Sequence, residues 1–108
     1  MYYCVGGRTG FGINAAPPER QGERFDQSRV GLHHLCFRAR ERGHVDDVYN
    51  CVKDLGAKVV HGPQDDNYAP GYYSVLFEDP DGIRIEVNHV PGRGVFDAGG
   101  RVKMGLMK

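Results

Sequence analysis

One segment of the chain carries apolar residues at intervals of three and four positions. This spacing places side chains on a single face of an α-helix. The stripe consists of Val45, Val48, Tyr49, Val52 and Leu55. Asp46 and Asp47 would lie in the first turn, where the helix dipole favours negative charge, and Gly56 stands where a C-terminal cap is expected. The pattern therefore predicts a helix of about three turns over residues 45–55.

Short apolar runs on both sides of this helix predict β-strands. One precedes it at 31–39 (GLHHLCFRA), and three follow at 57–61, 72–78 and 83–90. A polar loop over 62–71 separates the first two of these, and DPDG at 79–82 has the sequence of a type I turn. From residue 31 the predicted order is strand, helix, strand, strand, strand. This order indicates an α+β fold with a βαβββ module.

The two ends of the chain differ from this middle part. The sequence of residues 1–16 is typical of a hairpin of two short strands around GGRTG. Residues 17–30 form a polar connector that begins with two consecutive prolines. Residues 92–108 are rich in glycine and mildly basic, which is typical of a tail. The predicted organisation is a partial module at 1–16, a connector at 17–30, a complete module at 31–91 and a tail at 92–108.

Composition and charge narrow the possible functions. The 108 residues suffice for one domain, and 14 basic residues balance 14 acidic ones. A chain without basic excess is not expected to bind nucleic acid or an anionic membrane, and no apolar run is long enough to cross a bilayer. We therefore expect a cytoplasmic protein. The three cysteines are odd in number and lack a CxxC pair, so we interpret them as small apolar residues rather than as disulfides or zinc ligands.

Strand alternation brings a histidine and a glutamate to one face of the predicted sheet. In the last strand the side chain of Glu86 points to the face opposite that of its apolar neighbours. In the first strand His34 points to the face opposite that of Leu35 and Phe37. If the apolar residues of both strands pack under the helix, His34 and Glu86 share the open face. An imidazole and a carboxylate together suit a divalent metal. Taken separately, such residues are more often structural or solvated.

Two motifs resemble those of the vicinal oxygen chelate superfamily, which includes glyoxalases, bleomycin-resistance proteins and extradiol dioxygenases. GLHHLCFRA is similar to the opening strand of that family's module, and FEDPDGIRIEV resembles its closing hairpin. The resemblance covers about sixty residues and implies that His34 and Glu86 occupy metal-ligand positions. The implied cofactor is a divalent metal ion such as iron, manganese, nickel or zinc.

The chain also departs from the family pattern. A family site takes strands from two modules and usually three or four protein ligands. Here the first module is cut short, and aligning GFGIN with GIRIE puts Asn14 where a ligating glutamate would stand. A missing ligand would come from a partner chain, from Asn88 or from substrate. One module supplies too few strands to close a cleft, so the resemblance implies a homodimer.

Two functions follow from the resemblance. The first is a metal-dependent lyase or dioxygenase acting on a small oxygen-rich or aromatic substrate, with Tyr72 as proton donor or acceptor and with Tyr68 and Arg84 binding the ligand. The second is a protein that binds a drug-like small molecule without chemistry, as bleomycin-resistance proteins do. A third interpretation is that the chain is a fragment of a longer two-module enzyme.

Overall fold

The computed structural model describes the backbone of residues 2–6 and all of residues 8–92. The predicted tail lies outside these residues except for its first position. A two-stranded hairpin precedes a four-stranded sheet with one helix, which confirms the α+β class. The elements are β1 (Tyr2–Gly6), β2 (Thr9–Ile13), a 3-10 turn (Pro18–Arg20), β3 (Leu35–Arg38), α1 (Arg42–Asp54), β4 (Val59–Asp66), β5 (Tyr72–Glu78) and β6 (Arg84–His89). No helix in the described part of the chain is long and apolar enough to span a membrane.

The helix begins three residues earlier than its apolar stripe predicts. Glu41 is the extended N-terminal cap, and the first turn contains no acidic residue. The prediction that Asp46 and Asp47 lie in the first turn is therefore wrong, since both come one turn later. The added turn carries no apolar residue that would predict it, because it faces solvent, where Arg42 binds Asp65 with contacts of 2.8 and 3.0 Å.

The C-terminal end of the helix is a Schellman motif, in agreement with the predicted glycine cap. Gly56 has a φ of 76°, which a side chain would strain. Its N–H donates to the carbonyl of Lys53 at 3.0 Å, and the N–H of Ala57 donates to the carbonyl of Val52 at 2.9 Å. The last predicted stripe residue, Leu55, is the cap itself and is 77% exposed, so it does not extend the buried face.

Strand β4 extends five residues into the predicted polar loop. It pairs antiparallel with β5 from Val59 to Asp66, with register irregularities on both sides of His61. Polar residues and Pro63 are tolerated there because β4 is an edge strand and such irregularities release a backbone donor from the ladder. The connecting loop is thus shorter than predicted.

The order of strands in the larger sheet is β3-β6-β5-β4, with β3 parallel to β6 and the other pairs antiparallel. Helix α1 covers one face of the sheet by contacting β4, β5 and β6. Val45 and Val52 from the helix and Val75 from β5 are buried there, and the first and last of these are fully inaccessible. The opposite face carries the polar side chains of β5 and β6, and several of these are also buried.

The amino-terminal segments are attached to the larger sheet at two points. The N–H of Phe25 donates to the carbonyl of Asp81 at 2.7 Å, and the guanidinium of Arg24 donates to the carbonyl of Pro80 at 3.0 Å. The connector is thereby tied to the β5–β6 turn. In the hairpin, the ring of Phe11 lies 5.0 Å from the ring of Phe37 on β3.

Candidate metal centre

The parallel pairing of β3 with β6 brings three metal-ligating side chains together. Cys36 is the register partner of Glu86, so both project from the face opposite the helix. Strand β3 begins at Leu35 and not at residue 31 as predicted, so His34 lies in the segment just before the strand, two residues from Cys36. One donor atom from each lies within 4.8 Å of the others. The Nε2 of His34 is 3.6 Å from Oε1 of Glu86. The two predicted ligands therefore do share one face.

Glu86 is held in one orientation by its neighbours. The residue is only 7% exposed, and its Oε2 accepts hydrogen bonds from the Tyr72 hydroxyl and, at 2.8 Å, from the Asn88 amide. The Cys36 thiol donates to the same oxygen at 3.5 Å. Its other oxygen, Oε1, accepts no hydrogen bond from the described residues and faces His34. Hydrogen bonds of this kind fix a metal-ligating carboxylate.

The charge environment of Glu86 differs from that of an equally buried neighbour on the same face. Glu78 is 8% exposed and is surrounded by three cations, Arg24, Lys58 and Arg84, at 3.6–3.7 Å. Glu86 has no lysine or arginine partner among residues 8–92; the basic group that faces it there is the imidazole of His34, which is a cation only when protonated. A buried carboxylate without a cation is unfavourable. The Glu86 site thus lacks positive charge that the fold supplies elsewhere.

His33 is the hydrogen-bond partner of the second ring nitrogen of His34. The two Nδ1 atoms are 2.6 Å apart, so one of them must carry the proton that the other accepts. When His34 is the donor, its Nε2 carries a free lone pair that faces Glu86. This is the tautomer that binds a metal through Nε2.

Burial and the negative charge of Glu86 act on the two acidic neighbours of the carboxylate. Although Cys36 is exposed as a residue, partial desolvation of its thiol raises the pKa to about 12, and the nearby Glu86 charge adds to this effect. Burial and the hydrogen bond to Glu86 also raise the pKa of the Tyr72 phenol well above its ordinary value. Both groups are therefore protonated donors toward Glu86 at neutral pH.

The predicted ligand-binding residues fall in two places. Tyr68 is 48% exposed, and its ring meets that of Tyr72 edge-on at 5.2 Å, next to the cluster. Arg84 lies instead beside Glu78, with its Nε 3.7 Å from the carboxylate. Asn14 is exposed just beyond β2. The structure thus gathers Tyr68 and Tyr72 around the donors and pairs Arg84 with a carboxylate.

Two residues of the cluster have roles that the sequence pattern did not predict. Cys36 was interpreted as a small apolar residue, although its spacing of two from His34 on one strand already indicated a shared face. Asn88, considered only as a possible ligand, donates from its amide to Glu86 and, at 3.2 Å, to the Tyr72 hydroxyl. Its contact with Tyr72 depends on the pairing of β5 with β6, which parity alone does not specify.

Comparisons with known proteins agree with this architecture. The model of the Glyoxalase/Bleomycin resistance protein/Dioxygenase superfamily matches residues 3–87. A curated relative, the uncharacterized protein YqjT of Bacillus subtilis (strain 168), is 33% identical over 76 residues, which is 69% of this chain and 59% of the relative. The chain therefore spans little more than half the length of that protein.

Two solved structures are similar in both fold and sequence. A "putative glyoxalase" from Bacillus halodurans has a TM-score of 0.54 and 30% identity, over 68% of this chain and 56% of its own. A glyoxylase/bleomycin resistance protein/dioxygenase domain from Frankia sp. EAN1pec has a TM-score of 0.55 and 27% identity, over 62% and 50%. Since the family model covers most of the sequence, the chain belongs to the glyoxalase/bleomycin resistance protein/dioxygenase superfamily.

Proposed function

We propose that this protein binds a divalent metal ion through His34 and Glu86 and is a metal-dependent enzyme of the glyoxalase or extradiol dioxygenase type. Its substrate would be a small oxygen-rich or aromatic molecule. The observation that carries the proposal is the buried Glu86 carboxylate, which faces an imidazole and has no lysine or arginine partner among the described residues. A bound cation would supply the missing charge.

The spacing of the two donors suits a metal. Protein nitrogen and oxygen ligands lie about 2.0–2.2 Å from zinc, so two of them in a tetrahedral site are about 3.3–3.6 Å apart. The separation between His34 Nε2 and Glu86 Oε1 is 3.6 Å. Oε1 is also the oxygen that accepts no other hydrogen bond within the described residues, which supports its role as the ligand atom.

A metal in this position would act as a Lewis acid toward neighbouring oxygens of the substrate and stabilise an enolate or catecholate. The protein side chains prepare the site. Tyr72 and Asn88 hold the Glu86 carboxylate through Oε2, and Tyr68 presents an exposed ring edge at the margin of the cluster. The Tyr72 proton is directed at Glu86, so Tyr72 is a positioning residue in this arrangement. Its transfer of a proton to substrate is the further role that we propose.

Metal analysis of protein purified without chelator tests the proposal. We expect close to one divalent ion per site in the wild type, and loss of that ion in His34→Ala and Glu86→Ala. His44→Ala is the matched control, since His44 is a helix histidine with a half-exposed side chain outside the cluster. Unchanged far-ultraviolet circular dichroism would show that the variants fold. Metal retained by both cluster variants would contradict the proposal.

The second candidate function is metal-free binding of an aromatic molecule. The exposed edge of Tyr68 against Tyr72 favours it, because aromatic rings at a pocket margin stack on aromatic ligands. Arg84 would serve an anionic group only by exchanging its contact with Glu78. A wild type that carries no metal and gains no stability from manganese, iron, nickel or zinc would favour this function.

We also propose that the functional unit is a homodimer. The larger sheet has four strands, and β3 and β4 are its edges. Edge strands and exposed apolar residues are liabilities in water, and Leu35 on β3 and Val60 on β4 are both partly exposed. A second copy would add the strands that one module lacks. Sedimentation velocity at micromolar concentration should give twice the chain mass, and a stable monomer would refute the dimer.

A further inference from the structure

We propose that Cys36 is the third protein ligand of the metal site, so that the donor set is one nitrogen, one sulfur and one oxygen. The inference rests on the proposed function, since it adds a ligand to the site formed by His34 and Glu86. It also specifies the metal. A thiolate favours borderline-soft ions such as zinc or cobalt over manganese or magnesium, which prefer oxygen ligands.

The position of the thiol follows from the sheet and not from a flexible loop. Cys36 is the second residue of β3 and pairs in register with Glu86 on the neighbouring parallel strand. Residues paired across adjacent strands project from the same face. The sheet backbone therefore holds the sulfur beside Glu86, and His34, just before β3, completes the cluster within 4.8 Å.

The distances among the donors agree with shared coordination. One donor atom from each of the three residues lies within 4.8 Å of the others, and the Cys36 Sγ is 3.5 Å from Oε2 of Glu86, the oxygen bonded to the same carbon as the proposed ligand atom Oε1. Zinc–sulfur bonds of about 2.3 Å and zinc–oxygen bonds of about 2.0–2.2 Å would place the sulfur about 3.5 Å from Oε1 at tetrahedral angles, so the thiol would turn from Oε2 toward Oε1 when the metal binds. Three protein ligands would leave one position for substrate, as catalytic zinc sites do.

The only hydrogen bond of the Cys36 sulfur within residues 8–92 is the one to Glu86. When a metal binds, it replaces the thiol proton, which leaves to solvent, and the thiolate then contacts the cation. Glu86 keeps its hydrogen bonds from Tyr72 and Asn88 during this exchange.

Cobalt substitution tests the sulfur ligand directly. The full chain contains three cysteines, so a Cys4→Ser, Cys51→Ser variant leaves Cys36 as its only thiol. Chelator-treated protein of this variant is titrated with Co²⁺ alone and observed by absorption spectroscopy. We expect visible ligand-field bands together with an intense sulfur-to-cobalt charge-transfer band in the near ultraviolet.

Adding Cys36→Ser, or in a second version Cys36→Ala, should remove the charge-transfer band and weaken Co²⁺ and Zn²⁺ binding by tenfold or more, with little change for Mn²⁺. Loss of a hydrogen bond to a metal ligand lowers metal affinity about 10–100-fold, and loss of a direct ligand should lower it at least as much. Visible bands without the ultraviolet band in the Cys36-only protein would overturn the sulfur ligand and leave the proposed function intact. Absence of any bound cobalt would overturn both.

Discussion

Removing the charge of Glu86 should abolish the stability that a divalent metal gives to this fold. Glu86→Gln keeps the shape of the side chain and an oxygen acceptor for Tyr72, but it removes the anionic ligand. The variant should therefore fold, and it should fail to bind metal tightly. Thermal unfolding with EDTA and with zinc separates these two properties, because a ligand that binds only the native state raises its stability by mass action.

The expected magnitude is large enough to measure easily. At free metal 100-fold above its dissociation constant, the gain is about 2.7 kcal/mol. For a domain of 60–100 residues, each 1 kcal/mol moves the melting temperature by about 4–8 °C. The wild type should therefore melt about 10–20 °C higher with zinc than with EDTA, whereas Glu86→Gln should show a shift near zero.

Glu78→Gln is the matched control for this experiment. Glu78 lies on the same face and is almost equally buried, but three cations surround it and it is not among the donors. Its substitution should lower stability by about 1–3 kcal/mol both with and without metal, because charged contacts are lost. The shift caused by zinc should remain. An equal zinc shift in wild type and Glu86→Gln would refute the reasoning.

Two further substitution pairs and one single substitution give additional tests. Tyr72→Phe removes a buried donor to Glu86 and should lower the free energy of unfolding in urea by about 1.5–3 kcal/mol, whereas Tyr68→Phe, at a half-exposed ring, should change it by less than about 0.5 kcal/mol. Gly56→Ala should destabilise by about 1 kcal/mol because its φ is positive. Gly43→Ala, inside the helix with open space around it, should stabilise by up to about 1 kcal/mol. Equal effects of the two alanines would contradict the cap. His33→Ala, which leaves His34 Nδ1 without its partner, should weaken zinc binding about 10-fold or more in a calorimetric titration, and unchanged affinity would contradict the tautomer argument.

Much of the architecture could be predicted because it depends on local periodicity. The apolar stripe around Val45 and Val52 predicted the helix. Alternation of apolar and polar residues in 72–78 and around Glu86 predicted the two central strands. The predicted ends of elements were wrong where solvent-facing polar residues belong to a helix or strand. The first turn of the helix and the second half of β4 carry no apolar pattern, and pairing with Tyr73 and its neighbours on β5 is what makes β4 a strand there.

The candidate site was predictable in part for the same reason. Parity along the predicted strands placed His34 and Glu86 on one face, and their donor atoms are indeed 3.6 Å apart. The strand itself begins one residue after His34, however, so alternation along β3 is not what positions the imidazole. It could not specify which strands are neighbours. The parallel pairing of β3 with β6 sets Cys36 directly beside Glu86, and this pairing depends on the crossover through the helix.

The sequence by itself therefore determined the family, the order of the elements and the two faces of each strand, because these properties are local. Only the tertiary structure decided the charge balance of the two buried carboxylates. Glu78 and Glu86 are both acidic residues of central strands on the same face. Cations from the connector, from the segment before β4 and from the adjacent strand β6 converge on Glu78, whereas a histidine, a thiol, a phenol and an amide surround Glu86. That difference arises because residues far apart in the chain meet in space, and it is what marks Glu86 as the metal ligand that we propose.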